Sequence, residues 1–121
     1  MSNQHLTPNQ VVSHLAALSL QLDQVTEDLN RADEEAPELR GYATVANSEA
    51  FMRAEGPMDI RKHKAIIEVH ELRFAAELAE MKVRALTRSQ KTLMTRIEVG
   101  RSTGAAVRSD ISIAGSGAYG A

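Results

Sequence analysis

No glycine or proline interrupts residues 58–99, and this run constrains the fold more than any other feature of the sequence. Within the run, small and apolar side chains recur at alternating spacings of four and three residues, a seam typical of a helix packed against another helix. The members of this seam are Ala65, Val69, Leu72, Ala76, Ala79, Val83, Leu86, Gln90, Leu93 and Ile97. We predict one long helix over about 59–99, with Asp59 as its N-cap.

The first helix has a clear start signal. Thr7, Pro8 and Gln10 supply an N-cap, a proline at the first helical position and a partner for a capping box. A second apolar seam follows at the same spacing, through Val11, Leu15, Leu18, Leu22, Val25 and Leu29. We predict this helix over about 9–32, ending before the acidic run that precedes Pro37.

A middle helix is predicted over about 37–55. Pro37 suits the first turn of a helix, where its missing N–H is not needed. One face of the segment carries Leu39, Ala43, Ala46 and Ala50. Gly56 and Pro57 then end the helix.

The predicted fold is all-α: a single domain over 1–110, either an elongated helical hairpin or a three-helix arrangement. Residues 111–121 are rich in glycine and are predicted to form a flexible tail. The core must consist of aliphatic residues, because the chain has only two Phe, two Tyr and no Trp.

A second apolar stripe lies off the seam of the long helix, through Ile67, Phe74, Leu78, Met81 and Ala85. One stripe can be buried within the chain and the other needs a partner, so we predict a homo-oligomer joined by coiled-coil-like seams. The predicted interface residues are Val69, Leu72, Val83, Leu86, Leu93 and Ile97. Alternatively, the first two helices each cover one stripe within a three-helix bundle.

The sequence lacks the residues that several classes of function require. The chain has no Cys, which fits a reducing compartment and removes thiolate chemistry. His70 begins a segment that resembles a zinc-protease motif, but Phe74 occupies the place of the second histidine. Neither a signal peptide nor an apolar run long enough to span a bilayer is apparent. We expect a cytoplasmic protein with no enzymatic activity, cofactor, metal or membrane partner.

The net charge of −2 hides a strong asymmetry. Residues 11–59 hold ten acids and three bases, whereas residues 82–108 hold seven bases and one acid. Basic residues concentrate on the long helix and around the Gly56 break, where each could neutralise a phosphate. The candidate DNA-binding residues are Arg53, Arg61, Lys62, Lys64, Lys82, Arg84, Arg88 and Lys91. Salt bridges to the acidic first helix or to a neighbouring subunit are the alternative.

Residues 42–108 resemble a family of small helical proteins from tailed bacteriophages that is similar to the UvsY-type recombination mediators. The resemblance lies in Tyr42 and in the segments AFMRAEG (50–56), RKHKA (61–65), ELRFAAELAEMKVRAL (71–86) and TRIEVGRS (95–102). It implies an oligomer that binds single-stranded DNA and helps to load a recombinase where single-strand binding protein is already bound.

Within that resemblance, the family's basic segment matches Arg53, Arg61, Lys62 and Lys64, and its association region matches Ile97, Val99 and Arg101. The acidic first helix and the glycine-rich tail have no counterpart in the family. The expected function is therefore that of a phage recombination mediator in the host cytoplasm. A helical structural or virion-associated protein, whose charge asymmetry serves subunit packing, is the alternative.

Overall fold

A computed structural model describes residues 6–119 of the chain, with side chains to residue 115. Its three helices are α1 (Pro8–Arg53), α2 (Met58–Glu68) and α3 (His70–Tyr119). No strand occurs among these residues. The all-α prediction, the number of helices and the long C-terminal helix are therefore confirmed, while the helix boundaries differ from those predicted.

The start of α1 follows the sequence signal. The backbone N–H of Thr7 donates to Gln10 Oε1 at 2.9 Å, and the backbone N–H of Gln10 donates to Thr7 Oγ1 at 3.2 Å. This reciprocal pair is the capping box, and it satisfies two N–H groups that have no partner inside the helix.

Pro37 does not open a new helix, as the sequence suggested, but lies within the continuous α1. Proline cannot donate to the carbonyl four residues earlier, which is that of Asp33. Both residues are exposed, so water can reach this carbonyl and the loss is small. Ala32 and Ala36, on the inward face of the same turns, are buried and pack the helix into the core across Pro37.

The predicted break at Gly56 is present. Gly56 has a φ of +115°, a conformation that glycine adopts far more readily than other residues. The new helix begins at Met58, so Asp59 lies in its first turn and is not the N-cap that we predicted. Pro57 occupies the cap position without a side-chain hydrogen bond.

The predicted helix over 59–99 is divided by a single residue, Val69, with φ −101° and ψ 11°. Its N–H donates to the Ala65 carbonyl at 3.1 Å, and its own carbonyl accepts from the Arg73 N–H at 3.0 Å. Backbone hydrogen bonding therefore continues through the bend. Ala65 and Val69 are both buried with Ala50, which explains why an apolar seam runs through the interruption.

At the other end, α3 continues to Tyr119. Residues 111–119, which were predicted to form part of a flexible tail, are helical, and residues 120–121 lie outside the described part. Each glycine in the helix costs about 1 kcal/mol relative to alanine but does not prevent helical geometry.

Where the sequence predicted one domain, contacts group into two compact units. The first, the leucine unit, comprises the described residues up to Val25 and those from Ser89 onward. Its core holds Leu18, Leu93 and Ile97, with Leu15, Leu22 and Val25 packed against them. The seam of the first helix from Val11 to Val25 therefore packs against α3 within one chain.

Two glycines of α3 lie against α1 in the leucine unit. A β-carbon on Gly100 would come within 2.7 Å of Leu15 Cδ2, and one on Gly104 would come within 3.0 Å of Val11 Cγ1. Glycines four residues apart share one helix face and let two backbones approach closely.

The second unit, the alanine unit, comprises Thr26–Arg88. Its buried apolar residues are small: Ala32, Ala36, Ala43, Ala50, Ala65, Val69, Ala76 and Ala79. Arg40 pairs with Glu80, and Arg53 pairs with Glu68 at 2.6 Å, so ion pairs join the helices at the edge of this core. The candidate DNA-binding residues, Lys91 excepted, lie in this unit.

Candidate nucleic-acid interface

Basic side chains at the helix break bind the end of α1. Arg61 donates from Nη2 to the Phe51 carbonyl at 3.1 Å, and its guanidinium carbon lies 4.4 Å from the centre of the Phe51 ring. Lys64 donates from Nζ to the Glu55 carbonyl at 2.9 Å. The last carbonyls of a helix lack partners within the helix and carry partial negative charge. Arg61 supplies a partner and compensating charge to one such carbonyl, that of Phe51, and Lys64 binds a carbonyl in the turn just beyond α1.

A third candidate DNA-binding residue at the break, Arg53, also has a partner within the chain, because it forms the ion pair with Glu68. Lys62 is exposed, and so is His63. Three of the four basic residues at the break that were proposed to bind DNA therefore have contacts within the chain. Their concentration around Gly56 is explained by closure of the α1–α2 turn.

The basic residues of α3 are placed differently. Lys82, Arg84 and Arg88 are exposed in the alanine unit, and none forms an ion pair with a described residue. Arg84 and Arg88 lie one turn apart and so share one face of α3. Lys91, in the leucine unit, is exposed as well. These four residues keep their charges available to an external anion.

The predicted oligomer interface falls largely inside the chain. Val69, Leu93 and Ile97 are buried in the cores of the two units, so they are not available to a second subunit. Val83 and Leu86 are half-buried, and Leu72 is exposed. The repeating seam of α3 is thus the contact with α1. The second stripe is exposed instead, with Phe74 at 54%, Leu78 at 47% and Met81 at 55%.

A polar groove of about 380 Å³ lies between α1 and α3 of the alanine unit. Arg40, Arg73, Glu77 and Glu80 line it together with Asn47, whose buried Oδ1 has no hydrogen-bond partner among the described residues. The groove holds two bases and two acids, and Arg40 is already paired with Glu80. It therefore offers no concentrated positive charge for a phosphate backbone.

The acidity of the Tyr42 hydroxyl is altered by a neighbouring carboxylate. Its hydroxyl donates to Glu38 Oε1 at 2.8 Å. That hydrogen bond, together with the negative charge of Glu38, raises the pKa of Tyr42 above its ordinary value. The ring is exposed and is available for stacking, whereas the Phe51 ring is half-buried beneath Arg61.

Over residues 6–119, no cluster of three His, Asp or Glu side chains is arranged to hold a metal ion. No helix in this part of the chain is sufficiently apolar over a bilayer-spanning length to cross a membrane. Comparisons with known protein families, with characterised proteins and with solved structures give no match to this chain.

Sequence reasoning found the exposed bases of α3 but missed the contacts made by Arg61 and Lys64. These depend on carbonyl groups across the break, at Phe51 and Glu55, which no residue pattern displays. A usable signal was nevertheless present, since cations near the C-terminus of a helix are favoured by its dipole.

Proposed function

We propose that this chain is a non-enzymatic protein that binds single-stranded DNA through α3 and acts as an accessory factor, or mediator, in phage recombination. The observation that carries the proposal is the exposed, unpaired set Lys82, Arg84, Arg88 and Lys91. The family resemblance of residues 42–108 supplies the biological setting. Recombinase and single-strand binding protein are the expected partners, in the host cytoplasm.

The binding mode is electrostatic. Each exposed base neutralises one phosphate and releases a counterion, so affinity is largely independent of sequence and falls steeply with salt. Stacking contributes less, because exposed aromatic rings are few and comprise Tyr42 and Phe74 among those described. Several copies of the chain would present their α3 bases together and hold a longer segment of strand.

The first test is a fluorescence-anisotropy titration with a labelled oligo-dT strand at low and moderate salt, with the mass of the protein measured alongside. Arg84→Ala/Arg88→Ala should weaken binding and reduce the slope of log affinity against log salt by about 0.7 per lost contact. The matched control is Arg31→Ala/Arg40→Ala, which removes the same charge from arginines that are paired with acids in the chain and are not DNA-binding candidates. Equal losses in both variants, or no binding at low salt, would contradict the proposal.

A helical structural or assembly protein is the second candidate. The exposed apolar stripe through Phe74, Leu78 and Met81 favours it, because such a surface serves association more directly than strand binding. A stable oligomer that ignores the strand at low salt would favour this function over the first.

A further inference from the structure

The exposed stripe of α3 has a charge pattern that is complementary to itself. Phe74, Leu78, Met81 and Ala85 follow 4-3-4 spacing on the side of the helix away from the buried Ala76 and Ala79. Glu71 and Glu77 lie at the N-terminal end of this stripe, whereas Arg84 and Arg88 lie at its C-terminal end. All four charged residues are exposed, and none forms an ion pair with a described residue.

We propose that this face binds the same face of a second copy of the chain, with the two α3 helices antiparallel. A two-fold axis between Leu78 and Met81 sets Leu78 against the partner's Met81 and Phe74 against the partner's Ala85. The large ring thus meets the smallest side chain in the stripe. Two-fold interfaces require this kind of self-complementary surface.

The same register also pairs the charges. Glu71 faces the partner's Arg88, and Glu77 lies on the same flank as the partner's Arg84. In a parallel arrangement the same axial positions would bring Glu71 against Glu71 and Arg88 against Arg88. Like charges in contact oppose association and opposite charges favour it, so the antiparallel arrangement is selected.

The interface is small, since it uses four apolar side chains and two ion-pair types from each chain. A small interface of this kind gives weak, concentration-dependent association. The seam residues Val69, Leu93 and Ile97 take no part because they are buried. The inference does not depend on the proposed DNA function, although Arg84 and Arg88 belong to both surfaces.

The test uses charge reversal in the full-length chain, without DNA. Glu71→Arg alone and Arg88→Glu alone each set like charges against one another twice in a homodimer. Each should dimerise about tenfold more weakly than the wild-type chain by sedimentation equilibrium. An equimolar mixture of the two variants should recover association, because each heterodimer contact then joins opposite charges.

Circular dichroism of each variant shows whether the helices are intact, which is expected because the replaced side chains are exposed. Leu78→Glu gives a second test, since it should remove the dimer and keep the helical content. A wild-type chain that stays monomeric at high concentration would overturn the proposal. So would single variants that associate as strongly as the wild type, a mixture no better than its components, or a dimer that survives Leu78→Glu.

Lys82 and Lys91 separate this proposal from the DNA function, because neither faces an acidic residue in the antiparallel register. Lys82→Ala/Lys91→Ala should weaken strand binding and leave the dimer unchanged. Leu78→Glu should remove the dimer while every base remains. If Lys82→Ala/Lys91→Ala leaves strand binding unchanged, the DNA proposal fails, and if Leu78→Glu leaves the dimer unchanged, the dimer proposal fails.

Discussion

The leucine unit packs α1 against α3 with large side chains, whereas the alanine unit packs α1 against α2 and α3 with small ones. Leu18, Leu93 and Ile97 fill the first core, whereas the second consists almost entirely of alanines such as Ala43 and Ala50. A large aliphatic side chain gains more from burial but loses more rotamer freedom, and alanine has no rotamers to lose. The stability of the leucine unit should therefore depend on large side chains that fill its core. The stability of the alanine unit should depend on side chains that are small enough for its helices to pack closely.

The comparison has a geometric side as well. Helix axes lie about 8–10 Å apart, depending on the side chains between them. Small buried side chains recur throughout the second unit, whereas in the first Gly100 and Gly104 are the glycines that lie against Leu15 and Val11 of α1. We therefore expect smaller side chains to destabilise the leucine unit and larger side chains to destabilise the alanine unit.

Truncation should damage the leucine unit most. Leu18 is 4% exposed, and Leu18→Ala should lower the free energy of unfolding by about 2–5 kcal/mol through lost burial and a cavity. Urea unfolding followed by circular dichroism measures the change. The control is Leu20→Ala, at an exposed position half a turn away on α1. It should change the free energy of unfolding by less than about 0.5 kcal/mol. Similar losses at both positions would show that the leucine core is not specifically packed.

Enlargement should damage the alanine unit. Ala50 is 1% exposed and packs with Ala65 and Val69, so Ala50→Leu should cost about 1–3 kcal/mol of unfolding free energy through overpacking. Hydrogen exchange should locate the loss of protection in Thr26–Arg88. The control Ala17→Leu adds the same atoms at an exposed position of α1 and should be nearly neutral. A neutral Ala50→Leu would mean that the helices have room to separate.

The helix break should contribute to the alanine unit alone. Arg61→Ala removes the hydrogen bond to the Phe51 carbonyl and the contact with its ring, so it should cost about 1–2 kcal/mol of unfolding free energy. Lys62→Ala, at the exposed neighbouring position, should have little effect. Thermal unfolding of both variants tests this, and equal melting temperatures would show that Arg61 does not hold the break.

Glycine-to-alanine substitutions, one in each unit, test the comparison further. Gly41 has open space around it, so Gly41→Ala should raise the unfolding free energy by about 0.5–1 kcal/mol through helix propensity. Gly100→Ala should gain less, because its new methyl group forces Leu15 to move. Urea midpoints rank the two variants. A larger gain at Gly100 would contradict the close approach of the helices there.

The smallest expected effect concerns Tyr42. Glu38→Gln should lower its pKa towards the ordinary value near 10, because the negative acceptor is lost. Because the pKa of Tyr42 is raised in the folded chain, its hydrogen bond to Glu38 stabilises the fold below about pH 10. This contribution to stability is lost as the pH rises through the folded pKa. Absorbance of the ionised ring measures the titration, in a Tyr119→Phe background that leaves one tyrosine. An unchanged midpoint would mean that Glu38 does not hold the hydroxyl in solution.

Local signals predicted much of the fold. Thr7 and Gln10 marked the start of α1, Gly56 marked the break, and the 4-3 seams identified the buried faces of both long helices. Pro37 misled because a proline on an exposed turn interrupts only one backbone hydrogen bond, and nothing in its neighbours distinguishes that case from a helix start.

The candidate site was less predictable for a related reason. The sequence showed that basic residues are concentrated around Gly56 but did not show what they bind. Their acceptors, the carbonyls of Phe51 and Glu55, come within reach only when the turn is folded. The seam residues predicted a helical partner correctly, but a pattern along one helix cannot distinguish α1 of the same chain from a second subunit. The exposed stripe through Phe74 is the surface that we propose for association between chains.

The continuity of α1 across Pro37 also limits how such a chain can change in length. One residue inserted between Thr26 and Arg53 would rotate everything beyond it by about 100° and turn Ala43 or Ala50 out of the core. Seven residues nearly restore the original face. Insertions and deletions in related chains should therefore occur at 54–57 or at the chain ends, and elsewhere only in steps close to seven.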